Sequence, residues 1–134
     1  MEEQVGLYPV TLRVGHGDMP GAPTLTLRLL VNAPNGTVSG SGTVTQALPP
    51  PYGQTHIPQI TGGIFHGGLG QDQLFVHLTG QYAVSVPPPA IGTYLAHFSA
   101  AFAVDRGWNG RGSYEYGGHF VIDCKVENVS GGGS

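Results

Sequence analysis

Charge is what this chain has least of. Its 134 residues include five Lys and Arg and eight Asp and Glu, and lysine occurs once, at Lys125. With a net charge of -3, and with Arg13, Arg28, Arg106, Arg111 and Lys125 scattered along the chain, there is no basic stripe to follow a phosphate backbone. Nucleic acid is therefore not an expected partner. Cysteine is nearly absent too. Cys124 stands alone, which excludes an internal disulfide and gives no sign of an oxidising compartment. No stretch of about ten residues free of Gly and Pro shows a helical repeat, and none approaches the ~18 apolar residues of a membrane-crossing helix. The expectation is a chain without a membrane partner. Met1-Glu-Glu-Gln-Val5 lacks the basic start and apolar stretch of a signal peptide, so the default location is cytoplasmic, with a surface or secreted one left open.

What the chain has in quantity is glycine and proline, 23 and 11 residues, a composition that favours turns and strands. Its length suits one domain with a core of its own, read as residues 1–129, followed by a Gly/Ser tail at 130–134. Apolar residues alternate over most of the chain. Tyr8, Val10, Leu12 and Val14 share one face, as do Leu25, Leu27, Leu29 and Val31, and then Val38, Gly40, Gly42 and Val44. A fourth strand near Ile57 to His66 is interrupted by Pro58 and Gly62-Gly63 and is expected to be bent, bulged or at an edge. Leu74, Val76, Leu78, Tyr82 and Val84 form a fifth inward set, and Tyr94, Ala96, Phe98, Ala100, Phe102 and Val104 a sixth. The last run places Tyr114, Tyr116, Phe120, Ile122, Cys124 and Val126 inward, with a division at Gly117-Gly118. The fold class is thus all-β: a single antiparallel domain of seven or eight strands, a meander closed into a barrel or folded as a β-sandwich. The scarcity of charge to protect strand edges favours closure or pairing between subunits.

Register can be predicted in three places. At the hairpin Pro34-Asn35-Gly36, Ala33 opposite Val38 would set Val31 against Gly40, Leu29 against Gly42 and Leu27 against Val44, so that large residues meet glycine. The rival is a type I turn centred on Pro34 and Asn35 with Gly36 left-handed, which slips the register by one. In the C-terminal half, a loop from Pro87 to Ile91 sets Gly80 opposite Phe98, Leu78 opposite Ala100 and Tyr82 opposite Ala96. Extending this with Val104 opposite Tyr114 puts His119 opposite Ser99 and His77 opposite Ala101.

The chemistry-bearing residues are few. His77, His97 and His119 lie on the face opposite the apolar set but on strands too far apart to converge on one ion, so neither a metal nor another cofactor is expected. Cys124 has inward parity, the setting of an inert thiol. Asp123 and His119 are four residues apart on a strand, roughly 13 Å, beyond hydrogen-bond reach. No nucleophile or phosphate-loop motif is present, so no catalytic residue is assigned. The segment Asp105-Arg-Gly-Trp-Asn-Gly-Arg-Gly112 holds the single Trp and two of the five cationic residues. Arg106, Trp108, Asn109 and Arg111 are accordingly the candidate partner-binding residues, since Trp and Arg are enriched at binding hot spots. The competing reading makes Trp108 a plug at one end of the barrel. Pro49-Pro50-Pro51-Tyr52 has the P-P-x-Y form that WW domains read, while a stiff spacer is the plainer account.

The run Val5-Gly-Leu-Tyr-Pro-Val-Thr-Leu-Arg-Val14, followed by Val31-Asn-Ala-Pro-Asn-Gly-Thr-Val-Ser-Gly-Ser-Gly-Thr-Val-Thr-Gln-Ala47, resembles a small proteobacterial family known as a domain of unknown function. The resemblance implies a bacterial source and brings no activity or site residue with it. The residues themselves point to a non-enzymatic binding or protein-interaction module whose partner is an unknown protein or small molecule. The alternatives are a barrel holding a small ligand, or an enzyme built in one, and a structural or subunit-pairing protein that forms a homo-oligomer.

Overall fold

The computed structural model describes residues 6–17, 22–46, 53–66, 73–86 and 89–130. They form eight strands, β1 (Leu7–Gly15), β2 (Thr24–Asn32), β3 (Thr37–Thr45), β4 (Gln54–His66), β5 (Gln73–Ser85), β6 (Thr93–Asp105), β7 (Gly110–Tyr116) and β8 (His119–Asn128). Each pairs antiparallel with the next, and β8 returns to β1 through Leu12↔Asn128 to Gly15↔Lys125. The meander is therefore a closed barrel and not a sandwich. Closure removes most of the open edges that so few charges could not guard.

The alternating residues fill the barrel. Leu12, Leu25, Leu27, Ile57, Ile60, Leu78 and Phe98 are wholly buried, and no polar or charged residue is buried among the described ones. An eight-stranded barrel has an interior about wide enough for side chains alone. Glycine makes the fit at two close approaches. A Cβ on Gly42 would stand 2.9 Å from Leu27 Cδ2 and 3.1 Å from Ile60 Cδ1, and one on Gly40 would collide with the carbonyl oxygen of Arg28.

The first hairpin corrects the predicted register. Val31 faces Val38, Leu29 faces Gly40, Leu27 faces Gly42 and Leu25 faces Val44, a shift of two residues from Ala33 opposite Val38. The turn explains it. The Gly36 N–H donates to the Ala33 carbonyl at 3.2 Å, with Pro34 and Asn35 central and Gly36 left-handed at φ 68°. This is the turn chemistry of the rival reading, but carried by four loop residues between the pair Asn32↔Thr37. A shift of two preserves the facing of every side chain, so leucines still meet glycines and the interior is as expected.

The β5–β6 register holds as predicted, with Gly80↔Phe98, Leu78↔Ala100, Tyr82↔Ala96 and His77↔Ala101. The β6–β7 register does not. Val104 faces Gly110 and Ser99 faces Glu115, while His119 lies on β8 and pairs with Tyr116 of β7. The cause is the short loop after β6, closed by the Asp105 N–H donating to the Asn109 carbonyl at 2.9 Å, so that β7 begins at Gly110. A tight hairpin at Gly117-Gly118, left-handed at φ 57° and 87°, then carries His119 onto β8.

Bulges reset the alternation in β4 and β8. In β4, Gly40↔Ile60 gives way to Gly42↔Ile57, so the interruption expected at Pro58 is a bulge that turns both isoleucines inward. In β8, Tyr114↔Val121 gives way to Gly112↔Cys124, with Asp123 left-handed at φ 56°. Strict alternation placed Phe120 and Ile122 inside; the bulge turns them out, 72% and 68% exposed. Tyr94 is also exposed, because it lies where β6 runs past the end of β7.

Candidate functional site

The loop after β6 is built around Asp105. Its Oδ1 accepts the N–H groups of Gly107 (2.9 Å) and Asn109 (3.1 Å). The Trp108 N–H closes a turn onto the Asp105 carbonyl at 3.0 Å. Asn109 Oδ1 accepts from the Asn128 N–H at 3.0 Å, and Asn128 Nδ2 donates to the Gly107 carbonyl at 2.8 Å, tying the loop to the end of β8. These bonds hold Trp108 at φ 66°, a backbone region rare for a bulky residue, and direct its indole inward. Trp108 is fully buried, and its Nε1 donates to the Tyr8 hydroxyl at 3.2 Å. The indole closes this end of the barrel, as the plug reading has it.

The candidate residues therefore occupy different places. Trp108 is inside, Arg106 and Asn109 are on the exposed loop, and Arg111 is on the outer face of β7. Arg111 leads to a feature no local motif announced. Across β7, β8 and β1, the register Arg111↔Lys125↔Gly15 forms one row, and Glu127↔Arg13 begins the next. An outer-wall groove of about 520 Å³ runs here, lined by Arg13, Arg111 and Lys125 with His16, Asp123 and Glu127. Three of the five cationic residues of the chain thus meet in one depression.

Pairing in the groove is uneven. Arg111 binds Asp123 through Nη2 at 2.6 Å, and Lys125 stands 3.6 Å from Glu127. The hydrogen bond and then the charge of Arg111 pull the Asp123 carboxyl below its ordinary value. At the rim, His16 Nε2 lies 2.8 Å from the Ile122 carbonyl in the bulge. Arg13 is exposed on the outer face of β1, with groups able to grip two oxygens of one anion.

The domain of unknown function DUF1842 matches residues 5–120. The chain belongs to the DUF1842 family. The match includes Arg13, His16, the Asp105 loop and Arg111, and ends within β8, before Asp123, Lys125 and Glu127. The search of curated proteins finds no match.

The three histidines singled out in the sequence of this DUF1842 barrel are separate from the groove. His77 and His97 are exposed on the outer faces of β5 and β6, and the His119 ring lies 5.5 Å from that of Tyr116. Among the described residues no three His, Cys, Asp or Glu side chains are placed to hold a metal. Cys124 is buried, and burial raises its thiol pKa, the opposite of what a nucleophile needs. Pro49-Pro50-Pro51-Tyr52, Pro87-Pro88 and residues 131–134 lie outside the described residues.

Proposed function

We propose that the barrel is a non-enzymatic binding module that takes an anionic group, a carboxylate or a phosphate carried by a protein or a small molecule, in the groove across β7, β8 and β1. The convergence of Arg13, Arg111 and Lys125 in a chain of net charge -3 carries this reading. In the groove they outnumber Asp123 and Glu127 and leave one net positive charge. Arg13 is the first anchor, Lys125 adds charge beside it, and Arg111 fixes the bulge that shapes the wall. Arg106 and Asn109, on the adjoining loop, form the rim through which a larger partner is read.

Thermal shift with inorganic phosphate and with citrate tests it, because a ligand bound only by the folded state raises Tm. The expected rise shrinks with added NaCl and is absent in Arg13→Gln. An equal rise in Arg13→Gln sinks the proposal.

One observation favours the second reading, a ligand held inside the barrel. The Tyr114 hydroxyl is buried and has no protein hydrogen-bond partner, so it is able to donate to a small polar guest. A native mass spectrum showing a retained small molecule would favour that reading over the groove.

A further inference from the structure

Strands β5 and β6 outrun their neighbours at the end of the barrel opposite Trp108. Their mutual ladder continues to Ser85↔Thr93, whereas the β4–β5 ladder starts at Gln59↔Gln81 and the β6–β7 ladder stops at Phe98↔Tyr116. The flanking sequence accounts for both limits. The bulge at Pro58-Gln59 keeps the first part of β4 with β3, and Pro58 has no N–H to offer β5. On the other side, β7 turns back at Gly117-Gly118.

The open side of β6 can be assigned group by group. The Gly117 N–H donates to the His97 carbonyl at 3.0 Å, so the main-chain groups of His97 face β7. Alternation along the strand then aims the N–H and C=O of Leu95 and Thr93 to the same side, beyond the last residue of β7. Among the described residues no strand meets them there. The segment is also apolar and exposed, with Ile91 at 97%, Tyr94 at 56% and Leu95 at 67%. The usual guards of an open edge are charged side chains, especially lysine. None is present: between Arg28 and Asp105 the only charged residue is Asp72.

We propose that this edge of β6 pairs antiparallel with the same edge of a second copy of the chain, in a two-fold dimer centred on Tyr94. Thr93 then lies opposite Leu95 of the partner subunit, and their open N–H and C=O groups satisfy one another. A self-complementary contact sets each residue against its own kind near the axis. Each copy presents the same open N–H and C=O row, and with no charge on it two copies meet without the like-charge repulsion that keeps guarded edges apart. The pairing uses no residue that lines the groove across β7, β8 and β1, so it stands independently of the proposed function.

Sedimentation velocity of the full chain across a wide concentration range tests the proposal, together with hydrogen exchange at the Thr93 and Leu95 amides. The expected result is a monomer–dimer equilibrium with both amides slowed in the dimer. Leu95→Pro removes one edge donor and the exposed side chain without touching the ladder to β5, and should give monomer with an unchanged circular dichroism spectrum. Leu95→Lys, which keeps the N–H, should do the same if the proline variant misfolds. Monomer at all concentrations with rapid exchange at both amides overturns the proposal, as does a dimer that survives Leu95→Lys. So does a monomer whose Thr93 and Leu95 amides slow only when an extended apolar peptide is added.

Discussion

Arg111 donates through Nε and Nη2 to Oδ1 of Asp123, at 3.2 and 2.6 Å, and through Nη2 to the Asp123 carbonyl at 3.3 Å. Asp123 is the left-handed residue of the β8 bulge. One guanidinium therefore holds both the side chain and the backbone of the segment that turns Ile122 out while Cys124 stays in.

The pH dependence of this contact has a definite sign. The folded Asp123 carboxyl titrates below its ordinary value, so its stabilising effect is complete above the unfolded value of about 3.9 and is lost as pH falls through the folded value. Carboxyl-detected NMR titration should show Arg111→Ala returning Asp123 toward the ordinary value. The backbone makes a separate demand: Asp123→Asn should be tolerated, whereas Asp123→Val should cost about 1–2 kcal/mol in chemical denaturation, because β-branched residues resist the left-handed region.

Trp108 is the costliest single truncation in the loop. Its indole is fully buried and hydrogen-bonded to Tyr8, so Trp108→Ala should lose about 3–5 kcal/mol, the range for large aromatic residues in cores. Denaturant melts measure it. A loss below about 1 kcal/mol, the scale of a surface substitution, would mean that the indole does not close the barrel. Anion binding in the groove should survive the truncation at temperatures where the variant is folded.

Two neighbouring tyrosines should respond in opposite directions. Tyr116 donates to Gln46 Oε1 at 3.2 Å, and Tyr116→Phe should cost about 0.5–1.5 kcal/mol. The Tyr114 hydroxyl is buried without a partner, so Tyr114→Phe should be neutral or stabilising by about 1 kcal/mol. Burial raises the folded pKa of Tyr82, Tyr114 and Tyr116. Their share of stability is present below the unfolded value of about 10 and lost above it, where the unfolded chain ionises first. Urea melts from neutral pH into the alkaline range should show this decline, and Tyr114→Phe should flatten it.

Period-two alternation made most of the barrel legible, and its limits explain the errors. Alternation assigns faces but cannot separate two registers that differ by two residues, so it fits Val31 opposite Gly40 as well as the observed Val31 opposite Val38. The β5–β6 register was readable because the proline-rich loop bounded its length. At Pro58 the interruption showed in the residue type. At Asp123 it did not, since an aspartate in a strand is an ordinary outward residue until its backbone turns left-handed. The groove was hidden for a different reason. It is assembled where β8 closes onto β1, and nothing local links Arg13 to Arg111 or to Lys125. Only Arg111 could be singled out, and for its place near Trp108.

The most direct test of the binding account is a two-dimensional amide NMR titration of the full chain with inorganic phosphate. The account predicts saturable shifts confined to the amides of Arg13 to Gly17, Arg111 and Asp123 to Glu127, weakened by NaCl and abolished by Arg13→Gln. Shifts that fail to saturate, that persist unchanged in Arg13→Gln, or that map to Asp105 through Asn109 while β1 and β8 stay silent would contradict it.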